Sequence, residues 1–258
     1  MCFTASLTLP VFALGACIGS FLNVVVYRLP RGESVAWPGS RCPWCTAPLA
    51  ALDNIPLFSF LLLSARCRYC GAPIALRYPV VEGIGGLLAV CTCILWGFTP
   101  SGLMWAVFLA TLVAVALIDL DTFVIPDSLC LLLVGCGLVL AHVSPDEGSL
   151  SSRLLAGALS AGGVWALSVM TRGGMGMGDA KLLGAMGIAL GPRGVAFAFG
   201  LAVLLGAISG VWLLALKRKR SGDPVPFGPF LVLGALVAAL GGNQIAEWYS
   251  RALLGILD

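Results

Sequence analysis

Apolar runs recur along the chain near residues 8–27, 80–97, 102–118, 128–142, 154–171, 180–191, 194–216 and 229–246. A stretch of about 20 such residues matches the hydrocarbon core of a bilayer. Only helices and closed barrels satisfy every backbone polar group in lipid, so runs of this length predict an all-α polytopic membrane protein with about eight transmembrane helices. Composition agrees, with 59% hydrophobic and 10% charged residues against about 25% charged in soluble domains. The run at 180–191 is the shortest and leans on its flanking turns, Gly176-Met177-Gly178-Asp179 before it and Gly191-Pro192 at its end. The first run has no basic residues ahead of it and a basic segment after it, which is the pattern of a retained helix rather than a removed secretory signal. The 33 glycines among 258 residues are read mainly as close-packing positions between helices.

Lysines and arginines of short loops concentrate on the cytoplasmic side. With the N-terminus outside, one face collects twelve of them: Arg28, Arg31, Arg41, Arg66, Arg68, Arg77, Arg172, Lys181, Lys217, Arg218, Lys219 and Arg220. The other face collects Arg153, Arg193 and Arg251. This count predicts a cytoplasmic 28–79 segment and extracytoplasmic termini. The expected division is therefore a first transmembrane helix (1–27), a cytoplasmic domain (28–79) and a transmembrane core (80–258). The basic run 217–220 directly follows a span, so it reads as a topology anchor in contact with lipid and not as a nucleic-acid site.

Against this background Asp119 closes the run that begins at Gly102, and Asp179 opens another. Carboxylates at membrane depth are costly and are kept mainly for function. On the predicted topology both reach the cytoplasmic end of their spans. Two carboxylates a few ångströms apart share one proton. One can then act as base on a water while its protonated partner polarises a carbonyl, the chemistry of an aspartic protease. Asp121 and Asp127 compete with Asp119 for the first role. Asp127, after Pro126 and before an apolar run, reads as a helix N-cap, and Asp121 as a solvated loop residue. Gly176 and Gly178 allow a tight turn and close approach to a peptide. Lys181 either shapes the local field or binds phospholipid. Paired intramembrane carboxylates also serve proton-coupled transporters, but no inverted repeat of the kind those carry is visible.

A second constellation lies in the 28–79 segment. Cys42-Pro43-Trp44-Cys45 and Cys67-Arg68-Tyr69-Cys70 are two Cys-x-x-Cys pairs separated by 21 residues. Four thiolates complete the tetrahedron zinc prefers, and a site with all four positions filled is structural. The rival, a pair of disulfides, is disfavoured in a reducing cytoplasm. Cys2, Cys17, Cys91, Cys93, Cys130 and Cys136 read as small packing residues. Ile55–Ser64 is apolar but too short to span, which suits an interfacial or re-entrant segment. The sole histidine, His142, lacks partners nearby in sequence and reads as a surface residue.

Gly176-Met177-Gly178-Asp179-Ala180-Lys181-Leu182, together with Ile118-Asp119-Leu120-Asp121 leading to Ile125-Pro126-Asp127, resembles the two signature segments of the type IV prepilin peptidases. These are GxGD-class intramembrane aspartyl proteases. The likeness extends to Gly19–Val25, Arg28-Leu29-Pro30, Ser40–Pro43, Asp53–Pro56, Arg77-Tyr78-Pro79 with Glu82, and Pro226–Phe230, all in the family's order. It implies that Asp119 and Asp179 are the catalytic pair. It also implies that the substrate is a type IV prepilin or type II secretion pseudopilin, cut at the cytoplasmic face of the bacterial inner membrane. Family members with a large cytoplasmic domain also methylate the new N-terminus with S-adenosylmethionine. No glycine-rich nucleotide fingerprint follows a strand here, so that second activity rests on the resemblance alone.

Overall fold

A computed structural model describes residues 5–144, 148–171, 176–216 and 225–241. Cys2, Arg172, the glycines at 173 and 174, the basic run 217–220 and Arg251 lie outside the described residues. The described chain is helical: α1 (Ala5–Arg28), α2 (Phe58–Leu62), α3 (Arg77–Trp96), α4 (Pro100–Thr122), α5 (Asp127–Val143), α6 (Leu150–Met170), α7 (Met177–Ala215) and α8 (Gly228–Leu240). Its only strand-like pairing is two isolated antiparallel bridges, Arg41 with Pro48 and Arg66 with Pro73. Five helices are long and apolar enough to cross a membrane, namely α1, α3, α4, α6 and α7, while α5 and α8 are shorter apolar helices.

The eight apolar runs thus fall on seven long or medium helices, because the runs at 180–191 and 194–216 share α7. Gly191 interrupts that helix at φ 70°, ψ −178°, a left-handed conformation that a side chain disfavours. Pro192 follows, where its fixed φ suits the first position of a new helical arm.

The chain forms two compact units, Met1–Ala106 and Val107–Asp258. In the first, α1 packs on α3 through glycines, as the composition suggests. A Cβ on Gly15 would meet Gly85 O and Ala89 Cβ at 2.5 Å, and one on Gly19 would meet Val81 O at 2.6 Å. Trp96 and Trp105 stack with ring centres 5.1 Å apart. On the short α2, Phe58, Leu61 and Leu62 stay exposed, which fits an interfacial segment.

In the second unit α7 is the central helix, with α5, α6 and α8 against it. Phe108, Leu112 and Ile118 of α4, Leu133 and Leu140 of α5, Leu182 and Met186 of α7, and Leu231 of α8 are fully buried. Gly157 and Gly187 let α6 and α7 touch, since a Cβ on Gly187 would lie 2.8 Å from the Gly157 backbone.

Arg153, counted above as a loop cation, is instead wholly buried. Its Nη1 donates to Ala189 O at 2.7 Å and its Nη2 to Ser144 O at 3.1 Å. These carbonyls lie at the C-terminal end of α5 and just before the break in α7, where unpaired carbonyls favour a cation. Cys130 and Cys136 are buried, Cys91 and Cys93 half-buried, and Cys17 and His142 exposed.

Candidate active site and thiolate cluster

The acid pair is assembled in the second unit by the ends of three helices. Asp119 lies in the last turn of α4 and is only 5% exposed. Phe123, at φ 56°, stops the helix one residue past its end, and Val124–Pro126 run on until Pro126, extended at ψ 131°, caps α5. Asp127 is therefore the first residue of α5 and not its N-cap, because proline, with φ set at −67° and no N–H to lose, occupies the capping position. The Asp127 carboxylate instead pairs with Lys181 Nζ at 2.7 Å.

Asp179 occupies the third position of α7 and is 8% exposed. Its Oδ2 accepts from Gly176 N at 3.2 Å, and its own amide donates to Gly176 O at 3.1 Å, a reciprocal lock on the helix start. A Cβ on Gly178 would sit 3.0 Å from Ile125. The two signature segments therefore interlock at Ile125–Gly178 and again at Asp127–Lys181. The Ile125–Gly178 contact brings the connection that follows Asp119 against the helix start that carries Asp179. Asp121, two residues along α4, is exposed.

One participant carries no chemistry in its sequence. Gly228, the first residue of α8, donates its backbone N–H to Asp119 Oδ2 at 2.9 Å. A Cβ there would approach that oxygen to 2.6 Å. Each acid is thus held by an amide at a helix N-terminus, α7 for Asp179 and α8 for Asp119, where the helix dipole favours negative charge. The only sequence signal for this role was the motif Pro226–Phe230, which residue chemistry alone could not interpret.

In the first unit Cys42, Cys45, Cys67 and Cys70 bring their sulfurs within 4.8 Å of one another, and Cys42 Sγ lies 3.9 Å from Cys70 Sγ. Tetrahedral zinc with Zn–S bonds of ~2.3 Å needs sulfurs about 3.8 Å apart, so the four thiolates can hold such an ion. The two knuckles share one construction. Thr46 N donates to Cys42 O and Gly71 N to Cys67 O, each at 2.9 Å, while Cys42 N and Cys67 N donate to Ala47 O and Ala72 O. Backbone amides of Cys70 and Tyr69 hold the Cys67 thiol down at about 7, while against the lowering pull of the Ala72 amide, burial and the neighbouring sulfurs push the Cys70 thiol up to about 11. Asp53 clasps Arg68 through contacts of 2.7 and 3.0 Å, tying the second knuckle to the turn at 51–54.

A membrane helical body with two convergent, amide-cradled aspartates and a separate four-thiolate module is the class of an intramembrane aspartyl peptidase with an accessory domain. Two family models match: the bacterial peptidase A24 N-terminal domain over residues 13–96 and the type IV leader peptidase family over 106–211. The chain is 37% identical to a prepilin leader peptidase/N-methyltransferase of Aeromonas hydrophila, with 93% of this chain and 92% of the relative aligned. Proteins of the same description from Pseudomonas aeruginosa and Burkholderia pseudomallei are each 36% identical, over 92% and 89% of this chain and 91% and 84% of theirs. The chain belongs to the type IV leader peptidase family. No solved structure matches it. Nothing in the fold or the family favours the transporter alternative.

Proposed function

We propose that the chain is a bifunctional prepilin leader peptidase and N-methyltransferase of the bacterial inner membrane. It hydrolyses the leader from type IV prepilins or type II secretion pseudopilins at the cytoplasmic face, then methylates the new N-terminus. The observation that carries the peptidase half is the convergence of Asp119 and Asp179 at helix ends, each with an amide fixing one oxygen. One aspartate takes a proton from the attacking water while the other, protonated, donates to the scissile carbonyl. Gly176 and Gly178 let the turn before α7 close tightly on Asp179 and Ile125, and Lys181, two residues beyond Asp179, is anchored by Asp127. A leader carrying basic residues suits an acidic pair at the cytosolic surface, with the pilin's apolar helix remaining in the bilayer.

The proposed topology has eight spans, with 28–79 cytoplasmic and 80–258 as the transmembrane core. An unbroken helix of 39 residues would be about 58 Å long, nearly twice the ~30 Å hydrocarbon core, so the break at Gly191 supports two passes. The four cysteines hold a structural zinc that folds the cytoplasmic module, and S-adenosylmethionine is the methyl donor. Purified enzyme in detergent, given a prepilin and S-adenosylmethionine, should yield a product whose mass shows both loss of the leader and gain of one methyl group. A product of unchanged mass would refute the proposal.

A further inference from the structure

The first unit has a half-open cavity of about 820 Å³ between the thiolate module and the adjoining ends of α1 and α3, within the 300–1,000 Å³ range typical of small-molecule sites. Its charged lining groups are mostly committed. Arg28 donates to the carbonyls of Ser34, Pro38 and Gly39, Arg68 pairs with Asp53, and Glu33 and Arg41 are exposed.

Glu82 is the exception. It lines the cavity, is 8% exposed, and has no cation within ion-pair distance among the described residues. Its Oε2 accepts from Leu57 N at 2.7 Å, which leaves Oε1 without a protein donor. Leu57 itself stands at φ 61°, a costly conformation for a leucine, and strain of this kind is characteristic of ligand sites. A buried carboxylate lacking a countercharge is costly, and a cationic ligand removes that cost. Tyr27, Trp44, Phe60 and Tyr78 also line the space, and aromatic faces accept both cations and flat heterocycles. The Tyr27 ring already receives the Arg31 guanidinium at 4.0 Å.

We propose that this cavity binds the methyl donor, an adenosyl sulfonium, and that Glu82 recognises its positive charge. The proposal rests on the methyltransferase reading above. When bound, the donor supplies a methyl group: its S–CH3 bond breaks as an N–CH3 bond forms on the neutral α-amine, the bonding pair stays on sulfur as a thioether, and the amine proton passes to water.

The test compares Glu82→Gln with wild type by equilibrium dialysis in detergent, using S-adenosylmethionine and the uncharged 5′-methylthioadenosine as probes. Glutamine keeps an acceptor for Leu57 N, so zinc content and leader cleavage serve as controls for folding. We expect S-adenosylmethionine to bind the variant at least about tenfold more weakly, the scale of losing one charge-assisted contact, and methylthioadenosine to bind both proteins alike. Equal weakening of both probes would make Glu82 merely structural and overturn the proposal. So would unchanged donor binding, or a loss confined to the apparent affinity for pre-cut pilin, which would give the carboxylate to the acceptor's ammonium. If wild type methylates pre-cut pilin while donor binding ignores Glu82→Gln, only the site assignment falls. If wild type neither binds the donor nor methylates, the methyltransferase reading falls as well.

Discussion

Replacing Gly228 by alanine probes the amide cradle of Asp119 without touching either acid. The added Cβ would lie 2.6 Å from Asp119 Oδ2 and 3.1 Å from its Cγ, whereas ordinary contact begins near 3.4 Å, so the carboxylate must retreat by several tenths of an ångström. That displacement stretches the 2.9 Å bond from Gly228 N. A hydrogen bond to a charged acceptor contributes about 1.5–3 kcal/mol, and misplacing a reacting group by ~1 Å costs on the order of 100-fold in rate. Initial rates of prepilin cleavage, followed by product mass, should fall roughly 10- to 100-fold. Gly135→Ala, where a Cβ meets nothing within 4 Å, should leave the rate unchanged. Wild-type rates from Gly228→Ala would refute the claim that α8 positions Asp119 for catalysis.

Metal analysis should find about one zinc per chain, released on replacing Cys42, Cys45, Cys67 or Cys70 by serine, because a closed site needs all four ligands; stoichiometric disulfides in protein kept from air would contradict this. The Asp127–Lys181 pair is half or more exposed, so Lys181→Met should change thermal stability by less than about 1 kcal/mol, and a larger loss would mean the pair holds α5 to α7. Gly85→Ala would place a Cβ 2.5 Å from Gly15 O and should destabilise the first unit by about 1–3 kcal/mol, read as an earlier loss of zinc on heating. Asp179→Asn should fail to cut full-length prepilin yet still methylate a substrate supplied without its leader, as measured by radiolabelled methyl transfer.

Helix positions were largely legible in the sequence because membrane helices declare themselves by apolar length, and the thiolate cluster because two Cys-x-x-Cys pairs carry their own geometry. Asp119 and Asp179 stood out for the same reason, as charges where charge is costly. What stayed hidden was backbone chemistry and pairing at a distance. Gly228 contributes only an N–H, and no residue type advertises that. Asp127 has the chemistry of an N-cap, but Pro126 holds the cap and the freed carboxylate reaches Lys181, 54 residues away. Arg153 looked like a loop cation because a charge count cannot distinguish an arginine in water from one buried on helix-end carbonyls. The break that divides α7 into two arms between the runs at 180–191 and 194–216 turns on the dihedral angles of Gly191, which a hydropathy pattern does not contain.

Asp119 and Asp179 are proposed to act as one catalytic pair. The most direct measurement is the mass of a prepilin after incubation with purified Asp119→Asn and Asp179→Asn variants that retain zinc and a wild-type unfolding profile, beside Asp121→Asn. An intact leader is expected with each of the first two variants and a removed one with the third, since either substitution destroys a shared-proton pair while Asp121 lies exposed outside it. Near-normal cleavage by Asp119→Asn, with loss of cleavage in Asp121→Asn, would contradict it.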